Sequence, residues 1–92
     1  MNIRTIVTGV SGRMGRTIVR ALHEARADFE FVGATERLES PAVGQDAGLV
    51  CGIGENHVII RPALREVLAE TKADVVIDFS HHEASKIGRA HV

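Results

Sequence analysis

Apolar positions along the chain follow two different rhythms. IRTIVT, Ile3 to Thr8, is short, β-rich and stops at Gly9, which is the signature of a strand. From Arg13 to Ala25 the period changes. Gly15, Ile18, Val19 and Leu22 stand at i, i+3, i+4 and i+7 and make one face of a helix. FEFVGAT, Phe29 to Thr35, reads as a second strand after the polar turn at Asp28. Glu36 to Asn56 has no period and carries Pro41, Gly44, Gly48, Gly52 and Gly54, so it reads as a loop. Loops of that length are uncommon in compact domains and are often functional. HVII, His57 to Ile60, predicts a short third strand. Pro62 to Glu70 predicts a helix with proline in its first turn and Leu64, Val67 and Leu68 on its apolar side. ADVVIDFS, Ala73 to Ser80, is a continuous apolar run of the kind a buried parallel strand carries.

The resulting order, β-α-β-loop-β-α-β, predicts an α/β fold with a parallel sheet and flanking helices. Such sheets bind ligands beyond the carboxyl ends of their strands. Those ends are Thr8-Gly9, Thr35-Glu36 and Asp78 to Ser80.

Composition narrows the function classes. With 92 residues, 45% apolar and 25% charged, the chain is one ordinary globular domain or part of one. A net charge of -1 and the lack of Trp and Tyr argue against a nucleic-acid binder. Cys51 is the only cysteine, so an intrachain disulfide is excluded and a reducing compartment fits. The first residues resemble neither a signal peptide nor a spanning helix, so the chain reads as cytoplasmic, with no membrane partner.

The stretch VTGVSGRMGRT, residues 7 to 17, is costly on its face. Glycine is a poor helix former, and cations are unfavourable at a helix N-terminus. A bound phosphate resolves both costs. Gly9 permits a tight turn after the first strand, Gly12 lets backbone approach the phosphate, and Gly15 brings the helix close to the sheet. The N–H groups of the first helical turn then face an anion that Arg13 and Arg16 complement. The spacing is GxxGxxG, with Val10 and Ser11 between the first two glycines. Glu36 follows Gly15 by 21 residues at the end of the second strand, where an acid accepts the hydroxyls of an adenosine ribose. Arg37 is suited to a ribose 2′-phosphate through a forked, charge-assisted contact. Without a ligand, the same Glu-Arg pair is a solvated ion pair at a strand end.

GVSGRMGR (9 to 16), GATER (33 to 37), VGQDAGLVCG (43 to 52) and DVVIDFSHHEAS (74 to 85) together resemble the N-terminal domain of the 4-hydroxy-tetrahydrodipicolinate (dihydrodipicolinate) reductases over residues 2 to 85. The resemblance implies a Rossmann-like domain, here incomplete. It implies NADH or NADPH as cofactor, and reduction of a small-molecule substrate on the diaminopimelate route to lysine by a homotetrameric parent enzyme. By position it implies that the turn of Gly9, Val10, Ser11, Gly12, Arg13, Met14 and Gly15 holds the dinucleotide. Glu36 would take the ribose, Arg37 the 2′-phosphate, and Phe79 and Ser80 the nicotinamide half. His82 departs from the family, which usually has proline there. The family's nicotinamide-side GTTG-like segment and its substrate domain have no counterpart in these residues, so no catalytic residue is assigned and the 92 residues alone are expected to be inactive. Two rivals stand beside this reading: the cofactor domain of another enzyme, such as an aspartate-semialdehyde or homoserine dehydrogenase, and a non-catalytic nucleotide-sensing module.

Two further features need separate readings. His81 and His82 beside Asp78 and Glu83 suggest a metal, but adjacent strand residues point to opposite faces, so no metal site is expected. The last residues, KIGRAHV, are the in-frame translation of AAG-ATC-GGA-AGA-GCA-CAC-GTC, followed in that string by TGA. Apart from its first base, that DNA is the start of a widely used sequencing-library adapter. Residues 1–85 are therefore expected to be native, and 86–92 a non-native tail to be excluded from fold reasoning.

Overall fold

The computed structural model describes residues 2–79. Four strands form one parallel sheet: β1 (Ile3–Thr8), β2 (Phe29–Thr35), β3 (Ile60–Arg61) and β4 (Val75–Asp78). Their spatial order is β3-β2-β1-β4. Helix α1 (Arg13–Glu24) connects β1 to β2, the one-turn helix α2 (Ala47–Cys51) lies between β2 and β3, and α3 (Leu64–Thr71) connects β3 to β4. The chain moves one way from β1 to β3 and then crosses back to β4. Right-handed crossovers in opposite directions put their helices on opposite faces.

Burial agrees with that geometry. Adjacent residues of a strand face opposite sides, and both Ile6 and Val7 are fully buried, so β1 is covered on both faces. Val7 belongs to a core with Val10, Val19, Leu22, Ala34, Cys51 and Ile60, beneath α1 and α2. Ile6 lies on the α3 side, where Gly33 makes room. A Cβ at position 33 would stand 2.5 Å from Val67 Cγ1 and 3.0 Å from Ile6 Cγ1. The β1–β2 register shifts at the same level, between Thr5 and Ile6.

Both outer ends of the sequence pattern need adjustment. The expected loop from Glu36 to Asn56 contains α2, which is too short to show a helical period. Its signals were the terminal ones: Asp46 caps it by accepting from Leu49 N–H at 3.0 Å, and Gly52 follows it with φ +83°. The third strand does not begin at His57. His57 adopts φ +64° and its N–H goes to the Asp46 carboxylate at 2.7 Å, so only Ile60 and Arg61 join the ladder with β2. Helix α3 starts at Leu64, two residues after Pro62, and α1 ends at Glu24 with Ala25 as its cap. Strand β4 is parallel and, with only four strands described, ends the sheet, both as the sequence suggests; its apolar run is nevertheless less covered than a buried strand would be, and Val75 is 40% exposed. A continuous apolar run specifies burial without specifying which neighbour supplies it.

Candidate functional site

The strand ends are level. Thr8 pairs in register with Thr35 on one side and with Asp78 on the other, and Thr35 pairs with Arg61. The three segments predicted to meet a ligand therefore leave the sheet side by side, at Gly9, Glu36 and Phe79. Thr8 ties two of them together. Its hydroxyl donates to Asp78 Oδ1, and the Phe79 N–H donates to Thr8 Oγ1 at 3.0 Å.

The three glycines of the turn do three different jobs. Gly9 has φ +61°, a conformation that L side chains rarely adopt. Gly15 is packed against the turn itself, where a Cβ would stand 2.3 Å from Gly9 O and 2.8 Å from Val10 Cα. Gly12 needs neither reason. It has φ −76°, and a Cβ there would meet only Gly9 O, at 3.4 Å. It is the N-cap of α1, has no side chain to cap the helix, and no acidic residue lies in the first turn. Arg13, Met14 and Arg16 surround that end, with Met14 55% exposed. The Arg16 Nε donates to Ser11 O at 2.9 Å, which lays its guanidinium beside the turn. A glycine with no internal need to be glycine, at an uncapped helix start flanked by arginines, is the donor set that fits a phosphate.

Glu36 lies at the other side of this turn. Its Oε2 accepts from Ser11 N–H at 2.7 Å and from Ser11 Oγ at 2.6 Å, and Oε1 accepts from Arg37 N–H at 3.3 Å. Arg37 points its Nε and Nη2 at a single oxygen, Glu39 Oε2, at 3.0 and 2.7 Å. The Arg37 guanidinium holds the Glu39 carboxyl below the ordinary glutamate range. The structure thus brings Gly9, Val10, Ser11, Gly12, Arg13, Met14, Gly15, Glu36, Arg37 and Phe79 to the carboxyl end of the sheet. Ser80, His81 and His82 lie outside the described residues, as do residues 86–92.

Asp46 escaped the sequence pattern, whereas Cys51 is the small buried thiol that its place in the glycine-rich segment suggests. Asp46 accepts from the N–H groups of Leu49, Asn56 and His57. Partial desolvation works to raise its carboxyl, but these backbone donors outweigh it and hold the group below the ordinary aspartate range. Ligand atoms of Asp46, Glu55 and His57 come within 4.8 Å of one another, yet both Asp46 oxygens are already engaged by backbone N–H groups. Cys51 is buried under α1, with Sγ 3.7 Å from Val10 O, and burial pushes its thiol up. That is the setting of a packing residue and not of a nucleophile.

A parallel sheet wound on both faces, with a glycine turn at the end of β1 and an acid at the end of β2, defines the chain as an α/β domain of the dinucleotide-binding class. Comparison with known proteins makes the assignment specific. A sequence model of the family described as "Dihydrodipicolinate reductase, N-terminus" matches residues 3–88, and the chain belongs to that family. The 4-hydroxy-tetrahydrodipicolinate reductase of Myxococcus xanthus is 43% identical over 83 residues, which cover 90% of this chain and 30% of that protein. The reductase of the same name from Anaeromyxobacter dehalogenans is 48% identical over 82 residues, 89% of this chain and 29% of the relative. The chain thus spans about a third of the length of the curated relatives it matches. Among solved structures, an amine dehydrogenase from Mycobacterium smegmatis superposes with a TM-score of 0.70 at 36% identity, covering 80% of this chain and 21% of that one. The family is the one the four sequence motifs resemble, and NADH or NADPH is the cofactor that goes with it. Among the described residues, no helix is long and apolar enough to cross a membrane.

Proposed function

We propose that residues 9–15, Glu36, Arg37, Phe79 and Ser80 form the dinucleotide site of this chain. The observation that carries the reading is the junction of Ser11 with Glu36, which sets the ribose-binding acid directly beside the phosphate-binding turn. In this reading the pyrophosphate rests on the N–H groups at the start of α1, with Arg13 and Met14 against it. Glu36 accepts the ribose hydroxyls, and Arg37 takes the 2′-phosphate when NADPH is bound. Phe79 and Ser80 line the path toward the nicotinamide. The bound cofactor supplies a hydride, and this part of the protein supplies orientation and charge.

The whole protein, on this proposal, is a cytoplasmic, homotetrameric reductase that transfers the hydride to an unsaturated cyclic substrate on the diaminopimelate route to lysine. Residues 1–92 match only the N-terminal part of that family, and on this proposal they are expected to give no turnover by themselves. Residues 86–92 are proposed to be a non-native tail, and the source reads across Ser85 test that directly: continuous genomic sequence encoding KIGRAHV would overturn it.

Calorimetric titration of NADH and NADPH tests the site. Both are expected to bind, and Gly12→Ala is expected to weaken both. Equal binding by Gly12→Ala and the unsubstituted chain would remove the turn from the site.

A further inference from the structure

Arg37 is not presented empty to a ligand. Its Nε and Nη2, the edge of the guanidinium that makes forked contacts with phosphates and carboxylates, both donate to Glu39 Oε2. The pair lies at the surface, with side chains 66% and 68% exposed, two residues apart on the segment that leaves β2. Glu39 therefore occupies the same donors that a 2′-phosphate would use.

We infer that Glu39 is a specificity-determining residue, an internal competitor for Arg37 that shifts this chain's preference from NADPH toward NADH. The inference rests on the assignment of Arg37 to the 2′-phosphate made above. Glu36 discriminates by what it accepts, since its carboxylate needs a free ribose diol. Glu39 discriminates by what it withholds. NADH makes no demand on Arg37 and leaves the Arg37–Glu39 pair intact. NADPH must displace or share it. Because the pair is exposed, the competition is modest and depends on salt.

The test compares two nucleotide pairs that differ only by the 2′-phosphate: NADPH against NADH, and 2′,5′-ADP against 5′-AMP, the second pair needing no nicotinamide contacts. Glu39→Gln keeps the shape of the side chain and removes its charge. It is expected to tighten NADPH and 2′,5′-ADP by about two- to fivefold, the range of an exposed ion pair, and to leave NADH and 5′-AMP unchanged. Glu39→Ala is expected to do the same. The gain is expected to vanish in an Arg37→Ala background and to shrink as salt is raised. A gain that persists without Arg37 is a field effect of one lost charge and overturns the inference. So does an unchanged NADPH-to-NADH ratio in both Glu39 variants. Failure of the unsubstituted chain to bind either nucleotide would instead overturn the dinucleotide site itself, and this inference with it.

Discussion

Ser11 and Glu36 stand 25 positions apart and are joined by two hydrogen bonds to one oxygen, from Ser11 N–H at 2.7 Å and from Ser11 Oγ at 2.6 Å. The contact fastens the glycine turn after β1 to the end of β2 and leaves Glu36 Oε1 facing Arg37 N–H. Ser11 thereby orients the acid and joins the ends of the two strands.

On the proposed site, cofactor preference is set by Glu36 and Arg37 acting in opposite senses. Use of both cofactors is expected, with a preference of no more than about tenfold, roughly 1.4 kcal/mol. Glu36→Ala is expected to weaken NADH more than NADPH. Arg37→Ala is expected to weaken NADPH by about 1.5–3 kcal/mol, the range for a hydrogen bond to a charged group, and to spare NADH. Titration of both cofactors checks this. NADPH binding unchanged in Arg37→Ala would show that Arg37 is only the partner of Glu39.

Gly12 and Gly15 are expected to separate binding from stability. At Gly15 an added methyl meets backbone at 2.3 Å, which cannot rotate away. Gly15→Ala should therefore cost about 3 kcal/mol, the upper part of the usual range for overpacking. At Gly12 the same methyl is in ordinary contact, so Gly12→Ala should change stability by no more than about 1 kcal/mol. It should nevertheless lose about tenfold or more in nucleotide affinity, about 1.4 kcal/mol. Urea denaturation with parallel titrations distinguishes the two.

Asp46 is expected to make stability fall in acid. Its carboxyl is held low by backbone N–H donors that prevail over desolvation, so the folded state favours the ionised form. That contribution is fully present above the ordinary aspartate value of about 3.9 and is lost as pH falls through the lower folded value. Asp46→Ala should cost about 1–2 kcal/mol at neutral pH, as loss of a helix cap does, and should flatten the acid limb of a stability–pH curve. An unchanged acid limb in that variant would place the sensitivity elsewhere.

The edge position of β4 predicts limited solubility for residues 1–92. Val75 is exposed along a strand whose described partner is β1 alone. Exposed apolar edges pair with other chains, and domains of this size bury modest cores. Light scattering during a thermal melt should show concentration-dependent association. A cooperative melt of a monomer at high concentration would contradict it.

What the sequence by itself determined was local. Ile3–Thr8, Phe29–Thr35 and the stripe of Gly15, Val19 and Leu22 were legible because strand and helix periods are properties of neighbouring residues. The glycine turn was legible because Gly9 and Gly15 mark a tight turn with a closely packed helix start, as the positive φ of Gly9 and the close contacts of Gly15 bear out. The tertiary structure alone decided the relationships between distant residues. That Ser11 holds Glu36 and that β4 lies beside β1 depend on strand order, and that Asp46 collects N–H groups from Asn56 and His57 as well as from Leu49 depends on how the segment between β2 and β3 folds back on itself. Hydrogen bonds across such separations leave no periodic trace in the chain. Even the short Arg37–Glu39 pair, two residues apart, needed the backbone, because both side chains meet only when the segment leaving β2 turns them to the same side.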